Sequence, residues 1–358
     1  MKEKDSRRPR VVISGYYGFG NVGDELILSS IIHNLRSLDE FRIFVLSANP
    51  DQTISLYNVR AIKRSNLKGI LQVLKEADLF ISGGGTLFQD VTSSRSLFYY
   101  LGLIDLARTL RKKVMVYAQG IGPINNWFNR ILTQHVLNNV QLITTRDEES
   151  VKALKNLGVW RPKIFLSADP VFSYIDIQTH LGRMRIERRI GISVRRWPKA
   201  PHLSDVIAKA ADKLIAKLGV EVIFFPFHPD DRSLCHEILK MMERRAKVCE
   251  ENPLEFSNLI NRVDLVMGMR LHALILAACN YIPMVGIGYD PKVINLIRYL
   301  KQQLVGQIEK LTVEELVQTT EIVFCAREEY TRRLKKFVPF LHKRAELSPR
   351  LAVELIKK

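Results

Sequence analysis

Short hydrophobic runs alternate with longer amphipathic segments along most of the chain. The short runs predict buried β-strands, whereas the segments between them repeat apolar residues at helical spacing. Strands that alternate with helices form β-α-β units, so we predict an α/β fold whose parallel sheets carry helices on both faces. The predicted strands of the first half are VVIS (11–14), RIFVLS (42–47), LFIS (79–82), VMVYA (114–118), LITT (142–145) and IFLSA (164–168).

A polar, arginine-rich passage at residues 176–189 interrupts this alternation and predicts a linker between two domains. The predicted organisation is an N-terminal Rossmann-like domain (1–175), the linker, a C-terminal Rossmann-like domain (190–310) and C-terminal helices (311–358). This order resembles the GT-B architecture of glycosyltransferases, in which two doubly wound domains face a ligand cleft, although a fold alone does not define a reaction. The predicted strands of the second half are IGISV (190–194), VEVIFFPF (220–227), VDLVMGM (263–269) and IPMVGI (282–287).

The turn after the first strand contains the spacing G-x-G-x-x-G at Gly18, Gly20 and Gly23. In a dinucleotide-binding turn, this pattern follows the strand directly and an acidic residue ends the next strand. Here three residues intervene, and the second strand ends in the sequence SAN at residues 47–49. The pattern therefore disfavours a nicotinamide site, although such a turn still offers backbone N–H groups to a polar or anionic ligand.

Length and charge narrow the possible functions. A chain of 358 residues fits two domains, and its net charge of +17 favours acidic partners such as a phosphorylated metabolite, an anionic polymer or an anionic membrane. No helix-turn-helix, zinc-finger or RNP-like spacing is present, so we expect no nucleic acid partner. The absence of a leader-like apolar region and of any long apolar run predicts a cytoplasmic protein, and the four cysteines are expected to be reduced thiols.

Basic residues follow several strands of the second half. Because ligands collect at the carboxyl ends of parallel strands, we expect these residues to line one anion-binding rim. Arg270 and His272 open a buried helix, where positive charge is disfavoured unless an anion binds. At an effective dielectric of about 20, each close cation–anion pair supplies about 4 kcal/mol before desolvation. The residues predicted for this rim are Arg195, Arg196, His228, Arg270, His272 and Lys292.

The corresponding loops of the first half carry glycines, amides and carboxylates, which suit a polyhydroxylated ligand such as a sugar. Asp24 and Glu25 could equally complement the dipole of the helix that they open. In the second half, Asp230 and Asp231 are adjacent, but we expect helix caps there rather than a metal site. The residues predicted for the sugar side are Gly20, Asn21, Gly23, Asp24, Gly84, Gly85, Gln89, Asp90 and Gln119.

Seven motifs in order resemble the polysaccharide pyruvyl transferases, specifically the CsaB type, over about residues 10–295. The resemblance implies transfer of the pyruvyl group of phosphoenolpyruvate onto a sugar as a 4,6-ketal, with release of phosphate. It implies a β-linked N-acetylmannosamine acceptor in a lipid-linked precursor of a secondary cell-wall polymer, which surface-layer homology domains recognise outside the cell. The motifs are GYYGFGNVGDE, SGGGTLFQD, QGIGP, TRDEES, SADPVF, FHPDD and MRLHALILA.

The resemblance also implies roles for individual residues. The RLH motif of the family falls on Arg270, Leu271 and His272, its downstream lysine on Lys292 and its first-domain arginine on Arg146. We expect His272 to act as acid or base and the cations to hold phosphoenolpyruvate, with Arg146 completing the donor site. The chemistry requires no metal and no cofactor besides this donor.

Two alternatives remain open at this stage. A GT-B glycosyltransferase would share the fold, but it normally needs a carboxylate for the donor ribose, and Asp290 is the only nearby candidate. A non-catalytic protein that binds an anionic polymer would explain the net charge alone. The basic C-terminal segments REEYTRRLKKF and HKRAELSPR further suggest a peripheral contact with the inner face of the membrane.

Overall fold

The computed structural model describes residues 8–91, 93–174, 187–250 and 259–358. These residues form two compact units. Unit 1 contains the described residues up to Phe19, Asp24–Tyr174 and Leu341–Lys358, and unit 2 contains Gly20–Gly23 and the described residues from Glu187 to Phe340. Most of the predicted linker, residues 176–186, lies outside the described part of the chain.

An eight-stranded parallel sheet forms the centre of unit 1, in the order β3-β2-β1-β4-β6-β7-β8, with β5 paired to β6. All six strands predicted for the first half are present, and the pattern missed two more. The exposed ends of β3 and the Gly-Thr start of β5 left no continuous apolar run to detect. The strands are β1 (Arg10–Ser14), β2 (Arg42–Ser47), β3 (Arg60–Lys63), β4 (Leu79–Ser82), β5 (Gly85–Phe88), β6 (Lys113–Ile121), β7 (Leu142–Thr145) and β8 (Lys163–Leu166).

Side-chain caps define where many unit 1 helices begin. Asn49, Asn66, Ser93, Asn126 and Asp147 each accept a hydrogen bond from a backbone N–H of the following first turn, which satisfies a donor that the helix itself cannot. The helices that lie wholly or mainly in this unit are α1 (Val22–Leu38), α2 (Pro50–Tyr57), α3 (Leu67–Glu76), α4 (Ser94–Thr109), α5 (Trp127–Leu137), α6 (Glu148–Asn156) and α7 (Val171–Tyr174).

The chain order of this sheet reverses between β1 and β4. After β1 the chain builds β2 and β3 on one side, and it then returns to place β4 on the other side of β1. Ser14 and Ser82 end these two strands in register. Loops that diverge from such a switch point leave a crevice at the carboxyl edge, which is where ligands bind in open α/β sheets.

Unit 2 has a six-stranded parallel sheet in the order β11-β10-β9-β12-β13-β14. Its strands are β9 (Arg189–Ser193), β10 (Glu221–Phe224), β11 (Lys247–Val248), β12 (Leu265–Gly268), β13 (Met284–Ile287) and β14 (Gln303–Val305). Its described helices include α8 (Leu203–Leu218), α9 (Pro229–Met241), α10 (Leu271–Cys279), α11 (Pro291–Tyr299) and α12 (Val313–Cys325). Here the order reverses between β9 and β12.

The C-terminal helices are α13 (Arg327–Ala345) and α14 (Leu347–Lys357). The division between the units falls within α13, so the end of the chain belongs to unit 1. There Ser348 Oγ lies 2.9 Å from Thr144 Oγ1 and 2.8 Å from Ser167 Oγ, and Arg344 Nη2 donates to the Ser167 carbonyl over 2.9 Å. None of the described helices has the length and apolar character needed to cross a membrane.

Candidate active site

A two-bond charge pair lies at the start of α10 in unit 2. Arg270 precedes the helix and donates from Nε to Asp231 Oδ2 over 2.8 Å and from Nη2 to Asp231 Oδ1 over 2.5 Å. The Asp231 side chain is 2% exposed and the Arg270 side chain is 18% exposed. This two-bond geometry fixes the plane of the guanidinium and leaves its remaining N–H groups for another acceptor.

His228, and not either of the adjacent aspartates, supplies the side-chain cap of α9. Its Nδ1 accepts the backbone N–H of Asp230 over 3.2 Å. Nδ1 is therefore unprotonated, and the neutral ring carries its proton on Nε2. Burial, followed by the charge of Arg270, lowers the pKa of His228. Both effects favour the neutral form of His228, whereas the sequence predicted a cation at this position.

His272 lies in the first turn of α10 against the glycine-rich turn near the start of the chain. A Cβ atom on Gly23 would lie 2.2 Å from Nδ1 of His272, so only glycine fits at this position. Two further contacts fix the turn, because Val22 N donates to the Phe227 carbonyl over 3.0 Å and Asn21 Oδ1 accepts the Gly23 N–H over 3.1 Å. Gly20, Asn21 and Gly23, predicted for the sugar side, belong to unit 2, where Gly23 lies against His272.

The ends of β9 and β13 complete this edge. Arg195 Nη1 lies 3.5 Å from the Tyr289 hydroxyl, and its guanidinium carbon lies 5.5 Å from the centroid of the Tyr289 ring. Burial raises the pKa of Tyr289. Lys292 Nζ lies 3.3 Å from Asp290 Oδ2, and the Asp290 side chain also caps α11.

The predicted cations are not equivalent. Arg196 pairs with Glu237 at the surface, where its side chain is 57% exposed. Arg195 has no carboxylate within ion-pair distance in the described ranges, and its buried Nε has no hydrogen-bond partner there. Since β10, β9, β12 and β13 are consecutive in the sheet, their ends bring His228, Arg195, the Arg270 region and Lys292 to one edge. Arg195 therefore offers an anion the most available positive charge.

In unit 1, Arg146 is buried and held on three sides. Its Nη2 donates to Thr86 Oγ1 over 2.9 Å, its Nη1 lies 3.6 Å from Asp169 Oδ2, and its Nε lies 3.4 Å from Asp147 Oδ2. The Arg146 side chain is 7% exposed. A Cβ atom on Gly120 would lie 2.7 Å from the guanidinium, so the glycine of QGIGP makes room for this arginine.

Sequence reasoning missed three members of this cluster, which are Thr86, Asp147 and, with a side chain only 4% exposed, Asp169. Asp169 lies in the motif SADPVF, which contributed to the resemblance without any assigned role. The available signal was an acidic residue directly after the run IFLSA, at the carboxyl end of the sheet.

The other residues predicted for the sugar side divide into two groups. Asp24, Gly85 and Gln119 lie together, because Gln119 Nε2 donates to the Gly85 carbonyl over 3.0 Å and a Cβ on Gly85 would lie 3.1 Å from Asp24 Oδ1. Gly84 packs nearby, where its Cβ would lie 3.0 Å from Ile27. Gln89 instead accepts the Val91 N–H of its own loop, and Asp90 accepts the Asn125 and Asn126 N–H groups of the loop before α5.

Glu25 holds the loop after β1 in place through hydrogen bonds. This contact is in addition to the predicted role of Glu25 in complementing the helix dipole. Glu25 accepts the Gly18 N–H over 2.7 Å and the Tyr57 hydroxyl over 2.7 Å. Burial raises the pKa of Glu25 despite these bonds. The Tyr17 hydroxyl lies over two glycines of the switch point, since Cβ atoms on Gly15 or Gly83 would lie within 2.7 Å and 2.1 Å of it.

The sequence model described as polysaccharide pyruvyl transferase matches residues 21–291. The chain belongs to the polysaccharide pyruvyl transferase family. Among curated proteins, the amylovoran biosynthesis protein AmsJ of Erwinia amylovora is similar to this chain, with 23% identity over 255 residues. The match covers 63% of this chain and 60% of AmsJ, so it spans less than two thirds of that relative.

Solved structures share the fold of this chain. A putative UDP-N-acetylglucosamine 2-epimerase from Listeria monocytogenes matches with a TM-score of 0.69 and 12% identity, over 97% of this chain and 96% of its own. The UDP-GlcNAc 2-epimerase from Neisseria meningitidis bound to UDP-GlcNAc matches with a TM-score of 0.66 and 14% identity. The match covers 97% of this chain and 99% of the epimerase chain. The predicted GT-B-like fold, with two Rossmann-like domains and C-terminal helices, is confirmed.

Within the described ranges of the chain, no cluster of three or more His, Cys, Asp or Glu residues could hold a metal ion. The polar groups at the two sheet edges are instead arginines, a lysine, histidines and paired carboxylates. Such groups bind anions, position hydroxyls and transfer protons.

Proposed function

We propose that this member of the family is of the CsaB type. It transfers the pyruvyl group of phosphoenolpyruvate as a 4,6-ketal onto β-N-acetylmannosamine of a lipid-linked precursor of a secondary cell-wall polymer, and it releases phosphate. The observation that carries the proposal is the Arg270–Asp231 pair beside His272, on the same sheet edge as Arg195 and Lys292. The proposed reaction takes place in the cytoplasm, and the pyruvylated polymer then anchors surface-layer proteins outside the cell.

The donor fits the chemistry of this edge. Phosphoenolpyruvate has a carboxylate and a phosphate, and both suit the planar donors of arginine. The N–H groups of Arg270 that do not face Asp231 and the guanidinium of Arg195 are the donors proposed for these groups. Lys292 and the Leu271 backbone complete the proposed pocket, and Arg146 is proposed as a further donor-binding cation. Neither a metal nor another cofactor takes part.

His272 is the proposed acid or base. Protonation of the methylene carbon of phosphoenolpyruvate makes C2 electrophilic, and a sugar hydroxyl adds to it and loses its proton. Departure of phosphate then allows the second hydroxyl to bond to C2 and to lose its proton, which closes the ketal. A histidine can deliver and remove these protons because its neutral and charged forms are both accessible near neutral pH.

The acceptor is proposed to bind at the carboxyl edge of the unit 1 sheet. Asp24 is partly exposed there, next to Gly85 and Gln119. A carboxylate accepts hydrogen bonds from sugar hydroxyls, and glycine allows the sugar to approach the backbone closely.

The deciding experiment uses the purified full chain, phosphoenolpyruvate and a synthetic β-N-acetylmannosaminyl acceptor with a lipid-like aglycone. We expect the acceptor to gain the mass of a pyruvyl ketal with one phosphate released per ketal. Unchanged acceptor mass with this and related sugars would contradict the proposal. If the protein then bound UDP and not phosphoenolpyruvate, the nucleotide-sugar glycosyltransferase alternative would replace it.

A further inference from the structure

Several large hydrophobic side chains face water together in unit 1. Trp127, Phe128 and Ile131, at the start of α5, are 71%, 51% and 54% exposed, and Phe98 of α4 is 40% exposed. The ring of Phe128 lies 6.4 Å from that of Phe98 and 6.0 Å from that of Trp127, edge to face in both cases. We call these four residues and Val91, which is 64% exposed in the loop before α4, the aromatic patch.

The backbone beneath the aromatic patch is held by hydrogen bonds. Asp90 accepts the N–H groups of Asn125 and Asn126 over 2.9 Å each, and Asn129 Nδ2 donates to it over 3.0 Å. Asn126 in turn caps α5 by accepting the Phe128 N–H over 2.9 Å. These bonds join the loop of Val91 to the start of α5, so the hydrophobic side chains are presented by a fixed scaffold.

Such a group differs from ordinary surface hydrophobic residues. Single exposed apolar side chains are common, whereas a contiguous set marks a surface that binds a protein or a membrane. Trp160 shows the contrast, because it is 72% exposed but lies outside the patch, where its ring contacts Arg161.

The charge around the patch favours an anionic lipid surface. Residues 90–146 contain only two acidic residues, Asp90, whose carboxylate accepts the hydrogen bonds described above, and Asp105, which pairs with Arg108. Arg95 is exposed one turn before Phe98, and the chain as a whole carries a net charge of +17. Tryptophan concentrates at membrane interfaces, and cations beside buried apolar groups add attraction to anionic headgroups.

We infer that the aromatic patch docks unit 1 onto an anionic bilayer. The functional value of this contact depends on the proposed lipid-linked acceptor, because docking brings the enzyme to a substrate that cannot leave the membrane. The inference places the membrane contact on α4 and α5 instead of the basic C-terminal segments, in which Arg344 is bonded to the Ser167 carbonyl.

The first test measures sedimentation of the full chain with vesicles of phosphatidylcholine and phosphatidylglycerol in equal parts. The triple variant Trp127→Ser/Phe128→Ser/Ile131→Ser should partition about 100-fold less, because it loses three large apolar groups that enter the bilayer. The control Trp160→Ser removes a tryptophan of matched exposure and should bind like the wild type. Vesicles of phosphatidylcholine alone should bind the wild type less well.

A second test avoids any effect of the triple variant on folding. In Trp160→Phe/Trp197→Phe the only tryptophan left is Trp127, because the chain has three. Vesicles with brominated acyl chains should quench its fluorescence. In the matched protein Trp127→Phe/Trp197→Phe, the remaining Trp160 should stay unquenched.

Equal vesicle binding by the wild type and a folded triple variant would overturn the inference, as would unquenched Trp127. A concentration-dependent dimer that the triple variant abolishes, without vesicle binding by either, would assign the patch to a second copy of the chain instead. Turnover on a water-soluble acceptor should be the same in the triple variant and the wild type. Failure of the proposed reaction would therefore appear there, separately from failure of docking.

Discussion

Gly23 touches the imidazole of His272 so closely that a Cβ atom there would lie 2.2 Å from Nδ1. The two residues are 249 positions apart in a chain of 358 residues. The third glycine of the G-x-G-x-x-G pattern therefore has a steric function at the candidate active site, for which a dinucleotide is not needed.

Gly23→Ala should displace His272 and strongly reduce phosphate release from phosphoenolpyruvate in the presence of acceptor. The physical reason is that the imidazole must move or the turn must shift to relieve the overlap. Gly102→Ala is the matched control, because no atom lies within 4 Å of a Cβ at that helical position. It should keep full activity and gain up to about 1 kcal/mol of stability. Full activity of Gly23→Ala would contradict this account of the contact.

Asp231→Asn should weaken both stability and binding of phosphoenolpyruvate. Removing one partner of a buried ion pair typically costs about 3–5 kcal/mol, because the other charge stays buried without compensation. We expect a lower urea midpoint and a raised KM for phosphoenolpyruvate, since the Arg270 guanidinium loses the carboxylate that orients it.

The control for this prediction is Glu237→Gln, which breaks the exposed pair with Arg196. Surface pairs contribute about 0–1 kcal/mol, so this variant should unfold nearly like the wild type. Asp231→Glu should recover part of the binding, which a purely structural defect would not predict. An unchanged KM for phosphoenolpyruvate in a folded Asp231→Asn protein would show that Asp231 takes no part in donor binding.

The sequence was sufficient for the strands that are continuous apolar runs, because burial on both faces leaves a signal in local composition. It was insufficient for β3, whose ends are exposed, and for the two-residue β11. The loops after the strands were also predictable, since the parallel topology brings strand ends to one edge.

Pairings between distant residues were not predictable in the same way. Asp231 and Arg270 belong to different β-α units, as do Arg146 and Asp169. The pairing of a given carboxylate with a given arginine depends on how the helices pack against the sheet. A local sequence pattern does not predict that packing. For this reason Asp231 was expected to be a cap, and the capping role belongs to His228.

The protonation state of His228 should make stability depend on pH. The pKa of His228 is lower in the folded protein than its unfolded value of about 6.5. The stabilising contribution of neutral His228 to the free energy of unfolding is therefore fully present above about pH 6.5 and is lost as the pH falls toward the folded pKa. Urea unfolding at a series of pH values should show this loss in the wild type and a smaller loss in His228→Asn, whose side chain can still cap α9. Identical pH profiles for the two proteins would argue against a lowered pKa of His228 in the folded state.

His272→Asn should reduce turnover by about 10²–10⁴-fold, the usual contribution of a positioned acid or base, while the urea midpoint changes little. Asparagine keeps a polar group of similar reach beside Gly23 but cannot exchange a proton near neutral pH. His202→Asn is the control, since His202 is exposed and its side chain makes no capping bond. The loss should appear in kcat measured by phosphate release, with KM for phosphoenolpyruvate nearly unchanged. A variant with raised KM and normal kcat would instead make His272 a binding residue, and the proton would then have to come from another group.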